Sequence, residues 1–362
     1  MHSDCVIIGG GLIGMLTARE LLRSGLRVTI LEKGQVGRES TWAGGGILSP
    51  LYPWRYPDSV TRLASWGQQH YQSLCEELTQ ESGIDPQWTQ TGLLCIDIQN
   101  EMDVAVAWAK QHSVKAEQLD AQQLAQNFPF TPLSATHSCW FPLIAQVRNP
   151  RFAKALRGAV LHYGGVIIED SAVTAISQAD GKVVAVETSI QSFPTNKLLL
   201  AAGSWSRSLL QPLGVHIDVE PVRGQMLLFK AIPGIVPTML LYRDRYLIPR
   251  RDGRVLAGST LEYVGFDKTT TQSARQDLQA AALEMCPALA DFPIEQHWAG
   301  LRPGSSTGVP LISALPQMEG LYVNTGHFRN GVILGAASCR LMADIMLQRQ
   351  PILDPVPYAI VK

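Results

Sequence analysis

The six cysteines, Cys5, Cys75, Cys95, Cys139, Cys286 and Cys339, lie far apart, and no two are spaced C-x-x-C. Spacing therefore indicates neither a redox dithiol nor a zinc-thiolate site, and reduced core thiols are the expectation. An excess of either charge is missing too. Lys and Arg number 30 and Asp and Glu 31, for a formal net charge of −1. That argues against a general nucleic-acid binder or a polybasic membrane patch. No run approaches the roughly 18 apolar residues of a membrane-spanning helix. No basic segment precedes the first apolar run, so no secretory signal is expected, and the setting read from the sequence is soluble, reducing and cytoplasmic. Repeats, low-complexity tracts, charge runs and long flexible linkers are absent as well. With 46 % hydrophobic residues in a chain of 362, two domains with a sizeable core are possible. The lack of linkers implies that they interleave.

What is present starts at the N-terminus. Asp4 to Ile8 is a short apolar run, and Gly9, Gly11 and Gly14 follow as G-x-G-x-x-G. Leu12 and Ile13 open a stretch whose apolar residues fall at helical spacing, and Gly25 ends it. Leu26 to Leu31 is a second apolar run that ends on Glu32, with Lys33 beginning a loop. This reads as strand, tight turn, helix, strand, acid. The first glycine permits the turn, the second lets backbone approach a pyrophosphate, and the third packs helix on strand. The helix N-terminus offers free N–H groups and positive potential to phosphates. Glu32 is placed to accept hydrogen bonds from a ribose hydroxyl pair. This much fits NAD or FAD. A second glycine-rich strand-to-helix junction, Gly326, His327, Phe328, Arg329, Asn330, Gly331 and Val332, favours FAD. It can aim a positive helix end at the pyrimidine edge of a flavin.

Ser40, Thr41, Trp42, Ala43, Gly44, Gly45 and Gly46 form a small-residue stretch suited to backbone lying against something flat. Taken with the N-terminal fingerprint and Gly326–Gly331, it resembles the flavin-dependent amine and D-amino-acid oxidases over nearly the whole chain. The likeness is greatest to the glycine-oxidising branch tied to bacterial thiamine biosynthesis. The fold this implies is α/β with an α+β second domain: a Rossmann-type FAD-binding domain interleaved with an antiparallel-sheet substrate domain. Residues 1–86, 143–218 and 297–362 are assigned to the first, and 87–142 and 219–296 to the second. The resemblance places Ala43 through Gly46 beside the isoalloxazine ring and makes Val173 a backbone contact to adenine. Ala202 and Gly203, at the end of the apolar 197–202 run, join the cofactor set. Some relatives tether the flavin through a cysteine near the C-terminal end. No cysteine lies between Ala299 and Ile312, so noncovalent FAD is expected.

Arg302, in W-A-G-L-R-P-G, is the leading candidate to hold a substrate. A guanidinium fork fits a carboxylate with two parallel bonds. Tyr246, in R-D-R-Y-L-I-P, alternates with arginines and can point into the same cleft. Arg329 lies in the flavin-facing loop, and Leu261 is a candidate pocket wall. His327 is not expected to act as a base, because the oxidation requires none. The resemblance implies oxidative deamination of glycine, and also of sarcosine and small D-amino acids. The Cα hydrogen passes to FAD, the imine hydrolyses to glyoxylate and ammonia, and dioxygen is reduced to hydrogen peroxide. It also implies a homo-oligomer, a tetramer in relatives. Two alternatives stay open: a D-amino-acid dehydrogenase that passes electrons to a quinone, and a non-catalytic FAD-binding protein.

Overall fold

The chain is described here by a computed structural model, covering residues 3–132 and 137–360. A six-stranded sheet runs in the order Leu311–Ala314, Leu321–Thr325, Leu198–Leu200, Cys5–Ile8, Val28–Leu31, Val166–Ile168. All neighbours pair in parallel except the first two. Successive side chains on a strand point to opposite faces, and both faces are covered here. Cys5, Ile7, Ile30 and Leu199 pack under the helices Leu12–Arg23, Asp58–Ser82, Asn149–His162 and Gly331–Met346. Val6, Ile8, Leu31, Leu198 and Leu200 pack instead against Ile176, Val183 and Val186 of a three-stranded antiparallel sheet, residues 173–194. Burial on both sides is why these strands read as unbroken apolar runs.

An eight-stranded sheet runs Ile294–Gly304, Glu220–Phe229, Val255–Gly258, Arg245–Pro249, Met239–Tyr242, Leu93–Ile96, Ser138–Phe141, Glu117–Leu119. It is antiparallel but for one pair, Met239–Tyr242 with Leu93–Ile96, which is parallel. The 219–259 strand series pairs antiparallel, as expected from the sequence, while the parallel pair joins segments more than a hundred residues apart rather than through a hairpin. One face meets the Gln272–Met285 helix through Leu227, Leu240, Leu247 and Ala257. The other carries Met226, Tyr246 and Ile248 toward Ile47 and Leu51. The expected domain boundary at 296–297 falls inside the Ile294–Gly304 strand.

Several local readings shift slightly. The 88–98 strand is broken at Gly92, whose φ is 69° and where any Cβ would run into the Trp140 ring. Asp58 does not cap its helix; Pro57 occupies that place and Asp58 lies in the first turn. Asn149 likewise begins its helix, and its side chain is used elsewhere. All six cysteines are unpaired and buried. Among the described residues no helix is long and apolar enough to cross a membrane, and no cluster could hold a metal ion.

Candidate active site

The N-terminal fingerprint folds as a tight turn between strand and helix. Gly9 has φ 108°, and a Cβ there would overlap the Ala201 carbonyl. A Cβ on Gly14 would overlap the Gly9 carbonyl, so helix and strand touch backbone to backbone. Gly11 has open space by comparison, its nearest neighbour being Thr41 Oγ1. It is the N-cap of the Leu12–Arg23 helix and makes no side-chain cap bond, while the Leu12 N–H donates to Thr41 Oγ1 at 2.9 Å. Glu32 is buried. Its Oε2 accepts from the Gly10 N–H at 2.8 Å and its Oε1 from the Gly34 N–H at 3.1 Å. Both bonds hold the carboxylate at the rim of a cavity of about 270 Å³, also lined by Gly9, Lys33, Val173, Ala202 and Gly203. The Lys33 ammonium sits 3.1 Å from the centre of the Trp205 ring. Burial lowers its pKa, and Glu39 opposes that.

A second cavity, about 150 Å³, shares Gly11, Ser40, Thr41 and Gly203 with the first, so the two form one elongated recess. Leu12, Ile13 and Ala43 through Gly46 line it. Ser40–Ala43 is a single helical turn. The Trp298 indole N–H donates to the Ala43 carbonyl at 3.1 Å, and Gly300 leaves room for the Ala43 methyl. Gly45 lies against Ile248 and Tyr246, and Gly46 lies against Val147, whose N–H donates to the Gly46 carbonyl at 2.9 Å.

The far wall is the second glycine-rich junction. Gly326, with φ 80°, turns the chain out of its strand but does not itself line the recess; His327 through Val332 do. The Gly331–Met346 helix thus begins at the cavity. The buried Nδ2 of Asn330 has no partner among the described residues. His327 Nε2 is 2.8 Å from Ser338 Oγ, and Ser338 Oγ donates to Asn324 Oδ1 at 2.8 Å. Ser338 has one proton, so Nε2 must be the donor toward it. Burial lowers the His327 pKa to about 3. His327 is a neutral donor already in use, not a poised base.

Arg302 and Tyr246 meet at the same recess, with Arg329 also on its lining. Arg302 Nη1 donates to the Thr260 carbonyl at 3.2 Å and Nη2 to Ser259 Oγ at 2.7 Å. Both acceptors are neutral, and none of the ion pairs among the described residues includes Arg302. Burial lowers its pKa; Tyr246 opposes the shift and Arg329 adds to it. The guanidinium lies over Gly224, where a Cβ would overlap it. Tyr246 is buried, and its hydroxyl contacts Met226 Sδ at 3.9 Å. Leu261 differs from Arg302, Tyr246 and Arg329. It does not line the cavity and is 44 % exposed. The chain leaves its strand after Gly258 and bridges Arg223 at Glu262, which turns Leu261 outward; Ser259 is the residue of that segment on the lining.

Sequence reasoning missed Trp298, Gly300, Gly224 and Ser259. The first two were recoverable, since Trp298, Gly300 and Arg302 sit at period two on one strand face. The recess fits a dinucleotide with a flat ring. It is elongated, floored by glycine backbone, supplied with an orphan donor at Asn330 and rimmed by Glu32 at one end. No cysteine lines either part of it.

Comparison with known proteins agrees with this geometry. Residues 4–345 match the family model described as FAD dependent oxidoreductase. A glycine oxidase of Pseudomonas aeruginosa is 46% identical over 360 residues, 99% of each chain. A bifunctional protein ThiO/ThiG of Synechocystis is 32% identical over 355 residues, 96% of this chain and 52% of that one. The crystal structure of glycine oxidase from Geobacillus kaustophilus superposes with a TM-score of 0.93 at 25% identity, covering 100% of this chain and 99% of that one. The chain belongs to the FAD dependent oxidoreductase family and, within it, to the glycine oxidases.

Proposed function

We propose that this chain catalyses the oxidative deamination of glycine, with sarcosine and small D-amino acids as further substrates. The observation that carries the reading is the Arg302 guanidinium, held at the recess by two neutral oxygens with no carboxylate paired to it among the described residues. A half-buried cation without an anion is costly, and an incoming carboxylate supplies that anion. Arg302 binds the substrate carboxylate through its fork, and the Tyr246 hydroxyl donates to the same group. Arg329 adds positive potential nearby. The carboxylate is thereby fixed, so the Cα–H is oriented toward the Ala43–Gly46 floor. Bound FAD supplies the two-electron acceptor and, through dioxygen, the release of hydrogen peroxide. Gly9 through Gly14 and Glu32 hold its pyrophosphate and ribose, and Lys33, Val173, Ala202 and Gly203 surround the nucleotide end. Ala43–Gly46 and His327–Val332 flank the ring, where the helix N-terminus at Gly331 favours negative charge. The imine leaves and hydrolyses to glyoxylate and ammonia. In thiamine synthesis the imine itself is the useful product, and the likeness to a bifunctional ThiO/ThiG protein supports that use.

We place the FAD-binding part at residues 1–86, 143–218 and 297–362 and the substrate part at 87–142 and 219–296. The segregation of strands into a six-stranded and an eight-stranded sheet supports that division except at Ile294–Gly304, a strand of the eight-stranded sheet that the boundary cuts. We also propose a cytoplasmic homo-oligomer, a setting in keeping with six unpaired cysteines. Arg302→Ala tests the reading. A charged hydrogen-bonding contact contributes roughly 1.5–3 kcal/mol, so glycine binding should weaken on the order of 10- to 150-fold with FAD retained. Loss of FAD together with activity would remove Arg302 from the substrate.

A further inference from the structure

A buried guanidinium lies behind the glycine floor. Arg250 follows the Arg245–Pro249 strand that carries Tyr246 and is 8% exposed. Its Nη1 donates to Gln146 Oε1 at 2.6 Å and to the Val147 carbonyl at 3.0 Å. Its Nη2 donates to the Gly45 carbonyl at 2.7 Å. All three acceptors are neutral. Asp252, the acid that acts on it, is already bound by Arg148 at 2.7 Å and by Arg254 at 3.1 Å. Burial lowers the Arg250 pKa to about 9, which leaves it charged at neutral pH. Packing does not call for this arrangement, since an apolar side chain of similar length fills space without burying a charge.

What the fork does is join three segments distant in sequence: the 44–46 floor, the 146–147 segment and the strand end after Tyr246. Gln146 reinforces the joint, its Nε2 donating to the Pro249 carbonyl at 2.7 Å. Gly45 is the point where floor and substrate clamp touch, since a Cβ there would stand 3.5 Å from the Tyr246 ring and 3.6 Å from its hydroxyl. We propose that Arg250 is a positioning residue for the oxidation: acting through the Gly45 carbonyl, it fixes the floor under the flavin ring relative to Tyr246. Arg250 does not line the recess. A planar fork satisfies three acceptors in fixed geometry, and a lysine ammonium does not reproduce it. The proposal rests on the reading of the recess as the site of amine oxidation.

The test compares Arg250→Lys and Arg250→Met with the parent chain. The visible flavin spectrum and the FAD Kd are read first without substrate, then kcat and KM for glycine at saturating FAD. Both variants should show shifted flavin bands, a raised FAD Kd and a fall in kcat/KM of at least about tenfold, with lysine giving no rescue. Parent-like bands and kcat/KM in Arg250→Lys, whatever its melting temperature, would overturn the proposal. If both variants fail to fold, Gln146→Leu takes their place, because it removes one acceptor and leaves the guanidinium. It should shift the bands and lower kcat/KM at least about threefold; parent-like values there overturn the proposal equally. The spectral arm needs no turnover. A parent chain that glycine fails to reduce would therefore sink the substrate assignment while the positioning test still gives its answer.

Discussion

Replacing Gly224 with alanine should disable the carboxylate clamp while leaving Arg302 and Tyr246 themselves unchanged. Gly224 pairs with Gly300 and Val222 with Arg302 across two antiparallel strands. The Arg302 side chain lies back over Gly224, and an added Cβ would overlap Nη1, Nη2 and Cζ. The backbone has nowhere to retreat, since its strand pairs with Ile294–Gly304 on one side and is bridged through Arg223 to Glu262 on the other. The guanidinium must move instead, and it leaves Ser259 Oγ and the Thr260 carbonyl. Misaligning one charged hydrogen-bonding contact to the substrate costs about 1.5–3 kcal/mol, which is roughly 10- to 150-fold in kcat/KM for glycine. Overpacking should also lower stability by about 1–3 kcal/mol, so the assay is run well below the melting temperature. Rapid-mixing anaerobic reduction by a glycine series gives Kd and the reduction rate separately, and flavin content is measured on the same sample. A Gly224→Ala chain that keeps FAD and reduces within twofold of the parent at every glycine concentration would refute the placement of the clamp.

Two further substitutions probe other parts of the recess. Glu32→Gln turns one of two carboxylate oxygens into a donor, so the Gly10 or the Gly34 N–H loses its acceptor. At about 1–3 kcal/mol for an unsatisfied buried group, FAD Kd should rise roughly 5- to 150-fold in a fluorescence titration; an unchanged Kd would remove Glu32 from the cofactor. His327→Gln keeps a donor for Ser338 and deletes the titratable ring. The folded pKa of His327 is held down to about 3 against an ordinary 6.5. The unfolded chain therefore binds a proton that the folded one refuses, and stability is lost as pH falls from 6.5 toward 3. Melting temperatures between pH 6.5 and 4 should fall less steeply for the Gln variant; parallel slopes would mean that His327 does not titrate this way.

Legibility in the sequence followed locality. The Gly9–Gly14 turn and the strand ending at Glu32 are fixed by neighbours within one βαβ unit, so residue type and spacing suffice. Tyr246 was reachable because it sits in a short strand and alternates with arginines, and Arg302 because it stands beside Pro303 and Gly304 at a strand end. Gly224 was not, because its meaning comes from a register with a strand more than seventy residues away. Arg250 was hidden for the same reason: its acceptors are two backbone carbonyls and one amide from two segments about a hundred or more residues away. Leu261 misled because a residue three positions beyond a strand end has no set direction, and the Arg223–Glu262 bridge decided it. The parallel pairing of Met239–Tyr242 with Leu93–Ile96 is equally non-local.

The most direct measurement is anaerobic addition of glycine to the FAD-loaded chain, followed by air. Glycine oxidation predicts bleaching of the visible flavin bands, then their return with release of hydrogen peroxide and glyoxylate. Unbleached flavin in the presence of glycine, sarcosine and D-alanine, with FAD bound, would contradict it.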